Sequence, residues 1–288
     1  MSRTRSKPRG RPPAASVASS TGPAARGLDN ALALLDVIAA SDGILLTEAA
    51  QRAGVAPSTA HRVLTTLEAH GFLRQDTEHE DWRIGVKAFE VGNAFLRDRK
   101  VADVGRPIMT ELMEATGETV NLSLPMDDTV VFVAQVETHN ALRAFERPGN
   151  RAPLHASASG KLVLAHMTQK ARTATLHRTG LETFTPATRS AVSDLAADLD
   201  AAIARGFAIE VGEQADGLTC VAAPIYNEHG DLTSCLSVSG PVTRMDEVRR
   251  FEIGPQARRA ADAITRAIGG RQPRPAEPAS AAPAAAGA

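Results

Sequence analysis

The sequence predicts an α+β protein of two folded units: three short helices closed by a hairpin, then a larger unit mixing strands and helices. Three observations carry this. Residues 28–71 hold apolar stripes at helical spacing, separated by glycine turns. From about residue 119 the pattern changes to short β-branched runs between Gly, Asp and Asn turns. Both chain ends are biased in composition with little to bury, so the fold is expected between them. At 288 residues, 43% of them hydrophobic, the chain is comfortable for two cores.

The first stripe, LDNALALLDVIAA (28–40), aligns Leu28, Leu32, Leu35 and Ala39, with Ala31, Leu34 and Ile38 beside them. Asp29 is its expected N-cap and Ser41-Asp42-Gly43 its stop. Thr47 is expected to cap a short helix, TEAAQRA, that ends at Gly54. Pro57 suits the first turn of a third helix, PSTAHRVLTTLEAH, closed by Gly71. Ala60, Val63, Leu64 and Leu67 face a core there, while Ser58, Thr59, His61, Arg62, Thr65 and Thr66 face outwards. FLRQDTEHEDWRIG then reads as two short strands around a polar hairpin. This is the order of a winged helix-turn-helix, whose third helix presents donors suited to base edges and phosphates. From periodicity alone, a small helical bundle with a solvated third helix fits equally well.

Charge is unevenly placed. The chain carries −1 overall, yet its first acid is Asp29, preceded by Arg3, Arg5, Lys7, Arg9, Arg11 and Arg26. Residues 27–85 hold four bases (Arg52, Arg62, Arg74, Arg83) against nine acids, an odd balance for a module that must approach phosphates. The basic tail, residues 1–27, supplies the sequence-independent attraction that the folded module lacks. Within it Lys7-Pro8-Arg9-Gly10-Arg11-Pro12 is similar to an AT-hook. Gly10 would let the backbone sit on a minor-groove floor, with Arg9 and Arg11 in its negative potential. An ordinary basic tail is the alternative.

In the larger unit, TVNLSL, TVVFVAQV, FAIEV, TCVAAPIY and LTSCLSVS are the expected strands. VSDLAADLDAAIAR and residues 244–268 have helical period, and residues 86–100 are expected to form a helical linker. The unit is expected to span 101–268, followed by an Ala/Pro tail at 269–288. Cys220 and Cys235 have neither metal spacing nor the look of a disulfide framework, and no cofactor or metal motif is present. Lys161 follows Gly160 as in a P-loop, but His155 holds the position where such a loop needs glycine. His79, His139, His166 and His229 read as solvated. No stretch approaches the ~18 apolar residues of a membrane span, and the basic start lacks the apolar core of a signal peptide, so a cytoplasmic protein is expected.

Several longer motifs, in order, make the chain resemble the IclR family of bacterial transcriptional regulators over residues 28–265. They are LTEAAQRAGVAPSTAHRVLTTLEAHGFL and WRIGVKAFEVG in the first unit. In the second they are GETVNLS, PLHASASGKLVLA, GFAIEVGEQADGLTCVAAPIYNEHGDL and LSVSGPVTRM. The resemblance implies a winged helix-turn-helix at 28–85, a linker helix, and a GAF/PAS-like α/β effector-binding domain with a pocket on one face of its sheet. It implies DNA contact from the first unit, for which Thr47, Ser58, Thr59, His61, Arg62, Thr65 and Arg83 are the candidates. The implied pocket residues are Ala158 and Ser159 at a helix start, Cys220, and Ser237 and Ser239. Glu210 stands where the family has Asp, which leaves its role open. Such an array suits a carboxylate ligand. The function implied is a ligand-responsive repressor, dimeric or tetrameric, on double-stranded operator DNA, with activator or dual regulator as family alternatives. The rivals are an architectural A·T-rich DNA binder and an enzyme using Cys220. No GxSxG, HExxH or SxxK pattern accompanies that cysteine.

Overall fold

The computed structural model describes residues 23–76, 78–97, 101–144 and 146–273. The chain divides into two compact units, Met1–Arg97 and Asp98–Ala288.

The first unit contains α1 (Pro23–Ala39), α2 (Leu46–Ala53), α3 (Pro57–Ala69), β1 (Leu73–Gln75), β2 (Trp82–Ile84) and α4 (Val86–Arg97). The helix begins at Pro23, so Asp29 lies inside α1 and caps nothing. Its buried stripe also differs from the expected one: Leu34 and Ile38 enter the core, while Leu28 and Leu32 stay exposed. Both stripes are apolar, and tertiary contact rather than period selects between them. Leu34 and Ile38 pack with Ala49, Ala60, Leu64, Leu73 and Trp82. Each large apolar side chain buried there contributes about 1.5–3 kcal/mol. Gly54 ends α2 in the left-handed region at φ 66°, which turns the chain into α3 with Pro57 in its first turn. The hairpin pairs Leu73 with Ile84 and Gln75 with Trp82, and Ile44 bridges to Trp82.

The second unit is a six-stranded antiparallel sheet with helices on both faces. Its elements are α5 (Val101–Thr116), β3 (Thr119–Met126), β4 (Thr129–Val136), β5 (Arg151–Pro153), α6 (Ala158–His166) and α7 (Gln169–Thr179). Then come α8 (Val192–Arg205), β6 (Ala208–Val211), β7 (Leu218–Tyr226), β8 (Leu232–Pro241) and α9 (Glu247–Ala267). The strand order is β5-β4-β3-β8-β7-β6. One face packs Val120, Leu122, Val221, Leu236 and Val238 against α5 and α9. The other packs Val130, Phe132, Ala222 and Cys235 against α6 and α8. Period-two alternation along the strands produces these two faces.

One irregularity matters below. Leu122 pairs with Ala134 but Ser123 pairs with Phe132, so Val133 is an extra residue in β4. This bulge switches the parity of the strand, and Gln135 joins the Phe132 face.

Two expectations are corrected here. Residues 269–273 are bonded to the unit, with Gly270 N–H donating to Thr265 O at 2.7 Å and Arg271 N–H to Asn227 O at 3.0 Å. The folded chain therefore runs past 268. His166 is half-buried: Nδ1 lies 2.8 Å from Leu162 O and Nε2 2.9 Å from the Tyr226 hydroxyl. Burial lowers its pKa. No helix among the described residues is long and apolar enough to cross a membrane.

Candidate effector cavity and DNA-facing helix

The cavity begins at the start of α6. Ser157 is its N-cap: the hydroxyl accepts from Gly160 N–H at 3.1 Å and donates to Pro153 O at 2.6 Å. Gly160 is required there, because a Cβ would lie 2.5 Å from Leu154 Cα. With Gly160 and Lys161 amides satisfied, the Ala158 and Ser159 N–H groups are the first two of the helix and have no intrahelical acceptor. Such a pair favours an anion.

β7 and β8 form the floor, and their register sets Cys220 opposite Ser239 and Ala222 opposite Ser237. Cys220 Sγ lies 2.8 Å from Ser239 Oγ. Burial pushes the Cys220 pKa well up, so the group is a neutral thiol. The hydroxyls of Ser159 and Ser237 make no hydrogen bond among the described residues. Glu210, across from Cys220 in register, folds back on its own turn, where Oε1 accepts from Glu213 N–H at 2.5 Å and Gln214 N–H at 3.3 Å. Burial outweighs these bonds and raises its pKa to about 7.

Ala158, Ser159, Glu210, Cys220, Ser237 and Ser239, all six pocket residues expected from sequence, line one cavity. Phe132, Ala144, Glu146, Ser157, Gln214 and Leu218 complete its walls, and the sequence marks none of these. Glu146 is half-buried, and burial raises its pKa too. The walls surround ≈ 410 Å³ of space, part of it open to solvent. A wider depression bordered by Arg189, Asp194, Arg250 and Phe251 lies outside the 210–214 turn. It is larger but open, and it contains none of the six. The cavity collects amides, hydroxyls, a thiol and two carboxyls whose pKa values burial raises, Glu210 and Glu146, an array suited to a small anion. A thiol raised in pKa, with no histidine in the walls, lacks the features of an activated nucleophile.

In the first unit, Ser58, His61, Arg62 and Thr65 are exposed on one side of α3, and Thr59 is half-buried. Thr65 Oγ1 donates to His61 O at 2.9 Å and Thr66 Oγ1 to Arg62 O at 2.8 Å, leaving both hydroxyls as acceptors. Arg62 makes no ion pair or side-chain hydrogen bond among the described residues. It borders an apolar groove with Ala31, Val63 and Leu67. Thr47 is exposed but caps nothing; Leu45 holds that position without a side-chain bond. Arg83 is committed to Asp81 through two bonds of 3.1 and 2.7 Å. Arg9, Gly10 and Arg11 lie outside the described residues.

A helix-turn-helix joined in one chain to an α/β unit with a small, donor-lined cavity defines a class: a DNA-binding regulator that responds to a small ligand. The family model for the IclR helix-turn-helix domain matches residues 27–77, and that for the bacterial transcriptional regulator IclR C-terminal matches 93–266. The chain belongs to the IclR family of bacterial transcriptional regulators. It is 44% identical to the HTH-type transcriptional regulator BhcR of Paracoccus denitrificans, over 86% of this chain and 88% of that one. It is 41% identical to the acetate operon repressor of Salmonella typhimurium, over 91% and 96%. Among solved structures, an IclR homolog complexed with 4-hydroxybenzoate from Microbacterium hydrocarbonoxydans superposes with a TM-score of 0.73. It is 26% identical, over 84% of this chain and 98% of that one.

Proposed function

We propose that the protein is a cytoplasmic repressor whose hold on its operator is set by a short aliphatic carboxylate in the Glu210–Cys220–Ser239 cavity. The observation that carries this is the convergence, on one small cavity, of two helix-start amides and two serine hydroxyls that have no partner among the described residues. Size supports an aliphatic acid. One relative is complexed with 4-hydroxybenzoate, an aromatic acid. Here the walls lie close together, so an acid of two to four carbons displaces Phe132 and Leu218 less than an aromatic ring would.

α3 supplies the DNA contacts in this reading, through Ser58, Thr59, His61, Arg62 and Thr65, with Thr47 and Arg83 at its flanks. A dimer would address a pseudo-palindrome with one helix per half-site, and pairs of dimers would serve a longer operator. The ligand need only prefer one arrangement by a few kcal/mol to change operator occupancy usefully. No cofactor enters the scheme, and the reading includes no catalytic turnover.

The test is a footprint on DNA flanking the protein's own gene, with and without two- to four-carbon carboxylates. Protection of a palindrome that weakens with one of these acids supports the reading. Protection that no acid alters removes the effector, and diffuse protection of A·T-rich DNA restores the architectural rival.

A further inference from the structure

A buried hydrogen-bond chain reaches the cavity from behind. Gln135 Nε2 donates to Asn121 Oδ1 at 3.0 Å, and Asn121 Nδ2 donates to Ser239 Oγ at 3.3 Å. Asn121 is fully buried and, like Gln135, does not line the cavity; Ser239 does. Three strands make the alignment possible, since Asn121 of β3 pairs with Gln135 of β4 on one side and with Ser237 of β8 on the other. The bulge at Val133 is essential to it. Were residues 132–135 a regular strand with no bulge, Gln135 would point to the α5/α9 face.

The polarity of this chain has a chemical result. A serine oxygen can accept twice and donate once. Asn121 fills one acceptor site of Ser239, and the Cys220 thiol, 2.8 Å away, fills the other when it is the donor of that pair. The remaining Ser239 O–H is then free to be given to whatever occupies the cavity. With the chain reversed, the Asn121 carbonyl would take that proton, and Ser239 would meet the ligand as an acceptor.

We propose that Asn121, oriented by Gln135, is a positioning residue that holds Ser239 as a donor and so selects a carboxylate over its neutral isostere. The proposal rests on the reading of the cavity as an anion site. It assigns selectivity to two residues that never touch the ligand.

The experiment uses the full-length protein and a panel of two- to four-carbon carboxylates with their primary amides, read by calorimetry or thermal shift. Wild type should favour at least one acid over its amide. Asn121→Leu should reduce that preference about tenfold, the scale of one hydrogen bond to a charged group. Gln135→Leu, at a half-buried position, should reduce it several-fold and stands alone if Asn121→Leu does not fold. An unchanged acid-to-amide ratio in Gln135→Leu, or equal weakening of both ligands, overturns the proposal and leaves the anion site intact. A wild type that favours no acid overturns the anion site itself.

Discussion

Lys161 Nζ lies 2.5 Å from Glu213 Oε1 with no solvent exposure at the lysine, just outside the cavity wall. The same ammonium donates to Asp198 Oδ2 at 2.5 Å and Ile209 O at 3.2 Å. The residue that mimics a phosphate-loop lysine in sequence is therefore a clamp. It ties the α6 turn carrying the Ala158 and Ser159 amides to the turn whose amides hold Glu210.

Replacing Lys161 with Met should cost about 3–5 kcal/mol, because it strands Glu213 in the interior and leaves Asp198 without its closest cation. Urea unfolding measures this directly. A loss under about 1 kcal/mol would mean that water already reaches the pair.

Glu210 should make stability depend on pH. Its folded pKa of about 7 stands above the ordinary value of 4.5, so the folded protein binds the proton more tightly than the unfolded chain. That contribution is complete below about 4.5 and is lost as pH rises to 7. Its size is about 3 kcal/mol at most. Urea midpoints for wild type should fall between about pH 5 and pH 8 relative to Glu210→Gln, and parallel curves for the two proteins would refute the assignment.

Arg62 and Arg83 should behave differently on DNA. Arg62 is exposed and unpaired among the described residues, whereas Asp81 holds Arg83 by two bonds. Arg62→Ala should lose about 1–3 kcal/mol of operator affinity if it reads a base. Arg83→Ala should lose less. Titrations with operator and scrambled DNA separate the two, and equal losses would place Arg83 in the interface.

Because α1 starts at Pro23, a deletion that tests the basic tail should remove residues 1–22. That takes away Arg3, Arg5, Lys7, Arg9 and Arg11. Binding to all DNA should weaken, and the dependence of log K on log salt should flatten by about 0.9 for each phosphate no longer neutralised. An unchanged slope would show that these residues neutralise no phosphate. Loss of protection over an A·T-rich flank alone would mark Arg9-Gly10-Arg11 as a minor-groove reader.

Legibility in sequence follows the strength of each local signal. α3 is readable because Pro57 opens it and Ala60 and Leu64 repeat at helical spacing; both are fully buried. β4 and α8 are readable to the residue, from unbroken patterns between turn signals. α7 is not, since QKARTATLHRT has no apolar stripe and buries only Thr175. β5, three residues long, carries too little pattern to be seen. The cavity residues can be gathered only through family motifs, because no spacing rule links Ser159 to Glu210 or Ser239. Glu146 and the Gln135–Asn121 pair stay invisible for a further reason. A bulge and a long connection between strands place them, and neither has a signature in one sequence.

The tightness of the cavity bears on time as well as on selectivity. With little free space beside Phe132, Ala144, Glu146 and Leu218, a ligand of a few carbons must displace wall side chains as it enters. Entry and escape then run at the frequency of that displacement, below the diffusion limit. A sensor that exchanges its signal slowly averages it. It would ignore brief pulses of metabolite and answer to sustained supply, a filtering property set by how closely side chains meet.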